Sequence, residues 1–145
     1  MKKIFIIILL VCIILILSSC VSSKQIAVGM SYEEFLSTKK DMNFLEYRNY
    51  VFYVGSYEKN IVVEFGRESN LVEKIEAFPK VRATEEDFYS IKAGMTVFDV
   101  VEKVGIPSNS VSFGLSTLDF ECIDGLKFRV LWDQNMKVIE VIKVN

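Results

Sequence analysis

The chain has 145 residues, 51% of them hydrophobic, with 17 basic against 19 acidic side chains and no histidine. That length bounds it to one domain or two very small ones. The missing histidine removes the usual general base, the Ser-His and Cys-His pairs and the commonest zinc ligand. The slightly acidic balance offers no basic patch for nucleic acid.

The hydrophobicity is unevenly spread. Residues 4–17 form an unbroken apolar run of 14, preceded by Lys2 and Lys3. A positive start, a short apolar core and then small residues make a secretory signal. A permanent membrane span usually needs about 20 apolar residues. The run leads into "LSSC", ending at Cys20. This resembles the bacterial lipobox: an aliphatic residue, two small ones, then cysteine. The resemblance implies that Cys20 is diacylated, with chains such as palmitate, and becomes the new N-terminus. Each buried methylene of a lipid chain contributes about 0.8 kcal/mol, so two or three chains hold stably. The expected address is extracytoplasmic, anchored by lipid to a bacterial membrane: the cell membrane, or an outer membrane in a cell that has one. Val21 in place of Asp leaves the two open.

Loss of Lys2 and Lys3 leaves 15 basic against 19 acidic side chains, a net charge of −4. Such a domain is not drawn onto anionic lipid by its own charge. Cys12 leaves with the signal and Cys20 takes lipid, so Cys122 is alone. No disulfide within the mature domain is expected. Cys122 sits in the alternating stretch "LDFEC" and reads as a small core residue.

The expected organisation is a signal peptide over residues 1–19, a lipidated short linker over 20–26, a first α/β repeat over 27–80 and a second over 81–145. The linker reaches roughly 20 Å at ~3.3 Å per residue, which keeps the domain near its membrane. In the first unit Ser31 and Glu34 form a capping box, followed by a helical stripe of Tyr32, Phe35 and Leu36. Thr96 and Asp99 do the same in the second, ahead of Val97, Val100, Val101 and Val104 at helical spacing. Met30 and Met95 precede the caps, where an apolar side chain staples onto Phe35 or Val100. Gly105 and Pro107 stop the second helix. Between the units, Thr84 with Asp87 caps a short helix carrying Phe88 and Ile91.

The remainder of each unit predicts three strands. They are "YVFYVGSY", "NIVVEFG" and "NLVEKIEAF" in the first, and "TLDFECI", "LKFRVLW" and "KVIEVIKV" in the second. Asp124-Gly125 between two alternating runs is a hairpin signal. At a spacing of 67, Phe65 answers Trp132, Glu73 answers Glu140 and Ile75 answers Ile142. The expected fold class is therefore α+β: two tandem repeats of helix plus three-stranded antiparallel sheet, with the helices packed on one sheet face.

The tandem "VGMSYEEFLST" and "AGMTVFDVVEKVGIPS", each followed by strands, resemble the SmpA/OmlA (BamE-like) lipoproteins and, in overall plan, the two-repeat β-lactamase inhibitor protein. The resemblance implies binding of other proteins at a bacterial envelope and no catalysis.

The residues agree with that. The glycines are scattered singly, with no phosphate-cradling loop. "EED" at 85–87 reads as a helix start, where carboxylates meet the helix dipole, not as a calcium site. No enzyme activity, cofactor or metal is expected. Binding residues are expected on the strands. Asp119 and Glu121 alternate with Leu118, Phe120 and Cys122, and Lys127 and Arg129 alternate with Phe128 and Val130. Cross-strand ion pairs, a partner surface, or both follow from that charged face. In the first unit Tyr47, Tyr50, Phe52, Tyr53 and Tyr57 crowd 11 residues. Alternation puts Tyr50 and Phe52 on one face and Tyr53 and Tyr57 on the other. Tyr53 and Tyr57 are expected as the exposed pair, with Tyr47 beside them, since tyrosine is enriched at protein interfaces. Trp132 shares the parity of Phe128 and Val130 and is expected at the core edge. The leading expectation is a lipid-anchored scaffold or protein-binding module whose partner is an envelope protein. An inhibitor of an extracytoplasmic enzyme and a binder of lipid or cell-wall glycan are the alternatives.

Overall fold

The computed structural model describes residues 25–39, 42–112 and 116–144. The expected signal peptide, Cys20 and the linker up to residue 24 lie outside them, as do Lys40 and Asp41 after the first helix. Among the described residues no helix is long and apolar enough to cross a membrane.

Among the described residues three short α-helices each open on a capping box. Helix α1 (Tyr32–Thr38) starts at Ser31, whose Oγ accepts from the Glu34 N–H while its own N–H donates to the Glu34 carboxylate at 3.2 Å. Helix α2 (Glu85–Tyr89) starts at Thr84, whose N–H donates to Asp87 at 2.8 Å. Helix α3 (Val97–Val104) starts at Thr96, whose N–H donates to Asp99 at 2.7 Å. A cap of this kind contributes about 1 kcal/mol. The same bonds hold the two aspartates below the usual carboxylate range: chiefly the Thr84 N–H at Asp87 and the Thr96 hydroxyl at Asp99. Gly105 ends α3 at φ +86, where a side chain would be strained.

Eight strands among the described residues form two antiparallel sheets of four. The first is β1 (Phe44–Tyr47), β2 (Tyr50–Val54), β3 (Asn60–Phe65) and β4 (Val72–Phe78) in that order. The second is β5 (Asn109–Ser112), β6 (Ser116–Glu121), β7 (Lys127–Trp132) and β8 (Val138–Val144). Each sheet thus has one strand more than the three expected. Both additions, β1 and β5, are four-residue edge strands. The sequence "NSVS" of β5 lacks an apolar alternation of its own, and β1 begins just after a polar stretch.

Each sheet is tied to the segment before a helix by the same bonds. Gly29 N–H donates to Val72 O and Val72 N–H to Met30 O, both at 2.8 Å. Gly94 N–H donates to Val138 O at 2.8 Å and Val138 N–H to Met95 O at 2.9 Å. A register shift follows in each sheet, between Glu64 and Phe65 and between Leu131 and Trp132. It corrects the expected correspondence along the last strands. Val63 faces Ile75, whereas Val130 faces Val141. Ile75 therefore answers Val141, not Ile142, and Lys74, not Glu73, answers Glu140. The cause is length: the β3–β4 turn holds one residue more than the β7–β8 turn.

Two apolar cores separate the layers. Phe35 of α1 packs on one face of the first sheet with Val51, Tyr53, Val63, Phe65 and Val72. The other face of that sheet contributes Tyr50, Phe52, Val62 and Phe78 to a larger core. This second core contains Phe88 of α2, all five buried side chains of α3, and the inner face of the second sheet: Leu118, Phe120, Phe128, Val130 and Trp132. The Phe98 ring meets Tyr50 edge-on at 6.1 Å, and Lys74 Nζ lies 3.8 Å from its centroid. Phe88 stacks on Phe128 at 4.3 Å. Helices lie against both faces of the first sheet, so packing on a single face does not describe it. Burying a large apolar side chain in such a layer contributes roughly 1.5–3 kcal/mol.

Candidate functional site

The second sheet turns its other face outward. Across it Thr117, Leu131 and Glu140 form one cross-strand row, Asp119, Arg129 and Ile142 the next, and Glu121, Lys127 and Val144 the last. Glu121, Lys127, Glu140 and Ile142 are exposed. The middle row holds the face's ion pair. Arg129 Nε donates to Asp119 Oδ1 at 2.7 Å and its Nη2 to Oδ2 at 2.9 Å. This two-pronged geometry gives strength and a fixed orientation, and it raises the Arg129 pKa further. Asp119 was expected on a solvated face, yet it is only 8% exposed. The guanidinium covers it from the next strand, and Ser108 donates to its main-chain carbonyl from the edge.

The tyrosines part company. Tyr53, expected to be exposed, is buried. Its ring lies 6.4 Å from Phe35, with Lys39 Nζ 5.2 Å away, and burial pushes its pKa up to about 12. Tyr50 and Phe52 are buried as well, on the opposite face. Strand β2 is therefore covered from both sides, and neither of its faces is open to a partner. Tyr57 alone of the expected pair is exposed, at 95%. It sits at φ +58 and ψ +31 in the tight turn between β2 and β3, followed by Glu58 at φ +55. Bulky residues rarely adopt that left-handed conformation. Tyr47 is half-buried, with the Arg48 guanidinium 5.9 Å from its ring. The six expected residues do not converge: Asp119, Glu121 and Arg129 share one face, and the tyrosines lie elsewhere.

A pocket that no sequence motif announced lies where three turns meet. The β1–β2 turn carries Arg48 and Asn49, the β3–β4 turn carries Arg67, and the β7–β8 turn brings Gln134. The cavity has a volume of about 600 Å³, within the range of small-molecule sites. Arg48 donates to the Asp133 carbonyl at 3.1 Å and to the Ser116 hydroxyl. Arg67 donates to the Gln134 carbonyl at 2.6 Å. Both guanidinia thereby tie the first sheet to the second. Among the described residues neither is paired with a carboxylate. Glu46, on the same wall, accepts from the Tyr32 hydroxyl at 2.5 Å. Burial, then that bond, raises the Tyr32 pKa to about 12. The side-chain oxygen of Asn49 is buried and has no hydrogen-bond partner among the described residues. The arginines look unremarkable in sequence because 18 residues separate them.

Among the described residues no three cysteine, aspartate or glutamate side chains are grouped as metal ligands. Neither a protein-family model nor any curated protein matches the sequence.

Proposed function

We propose that this chain is a lipid-anchored, non-enzymatic envelope protein built from two tandem α/β units, and that it binds another protein through the outer face of its second sheet. The duplication is supported by the recurring capping box, the paired bonds from Gly29 and Gly94, and the shared strand order. The resemblance to the SmpA/OmlA lipoproteins points the same way. One observation carries the binding face: the two-pronged Asp119–Arg129 pair sits amid exposed Glu121, Lys127 and Ile142. A fixed charge pair within a mixed apolar and charged surface gives a partner both an orientation and a contact.

A photo-crosslinker at Ile142 of the full lipidated chain, in native membranes, tests the reading. The expected result is one discrete adduct that disappears with Glu121→Lys while the melting temperature stays unchanged. An adduct equally strong with Glu121→Lys sinks the proposal.

A second reading, inhibition of an extracytoplasmic enzyme, is favoured by Tyr57. Its ring stands 95% exposed on a tight turn, a shape suited to entering a cleft. Inhibition of an envelope hydrolase that is lost with Tyr57→Ala would establish it in place of the first.

A further inference from the structure

The pocket at the three turns has a formal balance of its own: two guanidinia and one carboxylate on its walls. We propose that it binds a small ligand of the amino-acid class, with ligand carboxylate on Arg48 and Arg67 and ligand ammonium on Glu46. This site is separate from the outer sheet face and does not depend on it.

Preorganisation supports the assignment. A guanidinium has five N–H donors in a planar fork that matches a carboxylate. The Gln134 carbonyl occupies one side of Arg67, and the Asp133 carbonyl and Ser116 hydroxyl occupy part of Arg48. Each arginine keeps donors to offer while its orientation is already set. The Tyr47 ring flanks Arg48, and the Tyr32 hydroxyl fixes Glu46. A ligand meeting side chains held in this way loses less entropy on binding.

The sign of the charges selects the class. Glu46 disfavours a compact dianion such as phosphate, which would meet like charge at one wall. A ligand with two negative groups and one positive group, as in glutamate, mirrors the walls. Simple acetate would satisfy the arginines and leave Glu46 unused.

Titration of the full chain in detergent micelles with glutamate, acetate and inorganic phosphate, read by amide NMR shifts, tests this. Glutamate is expected to move the amides of Asn49, Gly66 and Asn70 and to bind about tenfold tighter than acetate, one charge-assisted contact being worth about that factor. Arg67→Gln is expected to weaken glutamate about tenfold or more, and Arg67→Lys less. Glu46→Gln should weaken glutamate and should not weaken acetate, which loses a like charge from the wall. Should Arg67→Gln fail to fold, the glutamate–acetate difference and its loss in Glu46→Gln still decide the matter. Phosphate binding as tightly as glutamate, or no shifts at those amides, overturns the proposal.

Discussion

Counted back from the register shift in each sheet, Tyr50 and Phe52 hold the places in β2 that Thr117 and Asp119 hold in β6. Both pairs point away from the face that their sheet shares with β2's Val51 and Tyr53 or β6's Leu118 and Phe120. In the first sheet the places are aromatic, and they are buried in the core that α3 shares with them. In the second they are polar, and an arginine from the neighbouring strand covers the acid. One backbone arrangement thus gives an interior layer and an outer surface, and the side chains at these places and at the paired Val62 and Arg129 mark the difference. An apolar side chain needs another layer to leave water; a polar one needs only a partner within its own sheet.

The largest expected effect comes from truncating the first pair. Phe52→Ala should cost about 3–5 kcal/mol in urea unfolding, because a fully buried ring leaves a cavity between layers. A loss under 1 kcal/mol would mean that the second face of the first sheet is not closely covered and would end the comparison. Asp119→Ala should cost less, about 1.5–3 kcal/mol, since it strands a charge-assisted partner that is still in reach of water. A loss as large as that of Phe52→Ala would show that the outer face is covered too.

The caps extend the comparison to the helices. Thr96→Ala should cost about 1 kcal/mol, with Ser31→Ala similar, by thermal unfolding. The pH dependence follows from the lowered Asp87 and Asp99. Their stabilisation is present above the unfolded aspartate pKa of about 3.9 and is lost as pH falls through the lower folded values. Asp99→Asn should therefore flatten part of the acid limb below about pH 4, and an unchanged limb would rule out that contribution.

The smallest effect concerns the hairpin turns. The second sheet uses Gly125 at φ +78, where the first uses Tyr57 and Glu58 at positive φ. Tyr57→Gly should raise stability by about 0.5–1 kcal/mol by relieving that conformation, and Gly125→Ala should lower it by about as much. If Tyr57→Gly destabilises, the tyrosine is held by contacts and its turn is not strained.

Much of this was legible because it is local. Ser31, Thr84 and Thr96 each announce a helix through a partner three residues on, and Asp124-Gly125 announces a turn by itself. The strands β1 and β5 were hidden because their pairing is supplied by neighbours. The two-sided burial of β2 did leave a trace: "YVFYV" is apolar at every position, the pattern of a strand covered on both faces. Assigning one parity to solvent exposed Tyr53 wrongly. The Arg48 and Arg67 pocket had no such trace, because it depends on where three turns come to rest.

The layer formed by Tyr50, Phe52, Val62 and Phe78 also makes the first unit depend on the second. The first sheet ends at Phe78, but α3, whose side chains share the core of its second face, runs from Val97 to Val104. A chain cut after residue 80 would hold all four strands with an aromatic side left open to water, and such fragments would associate with one another.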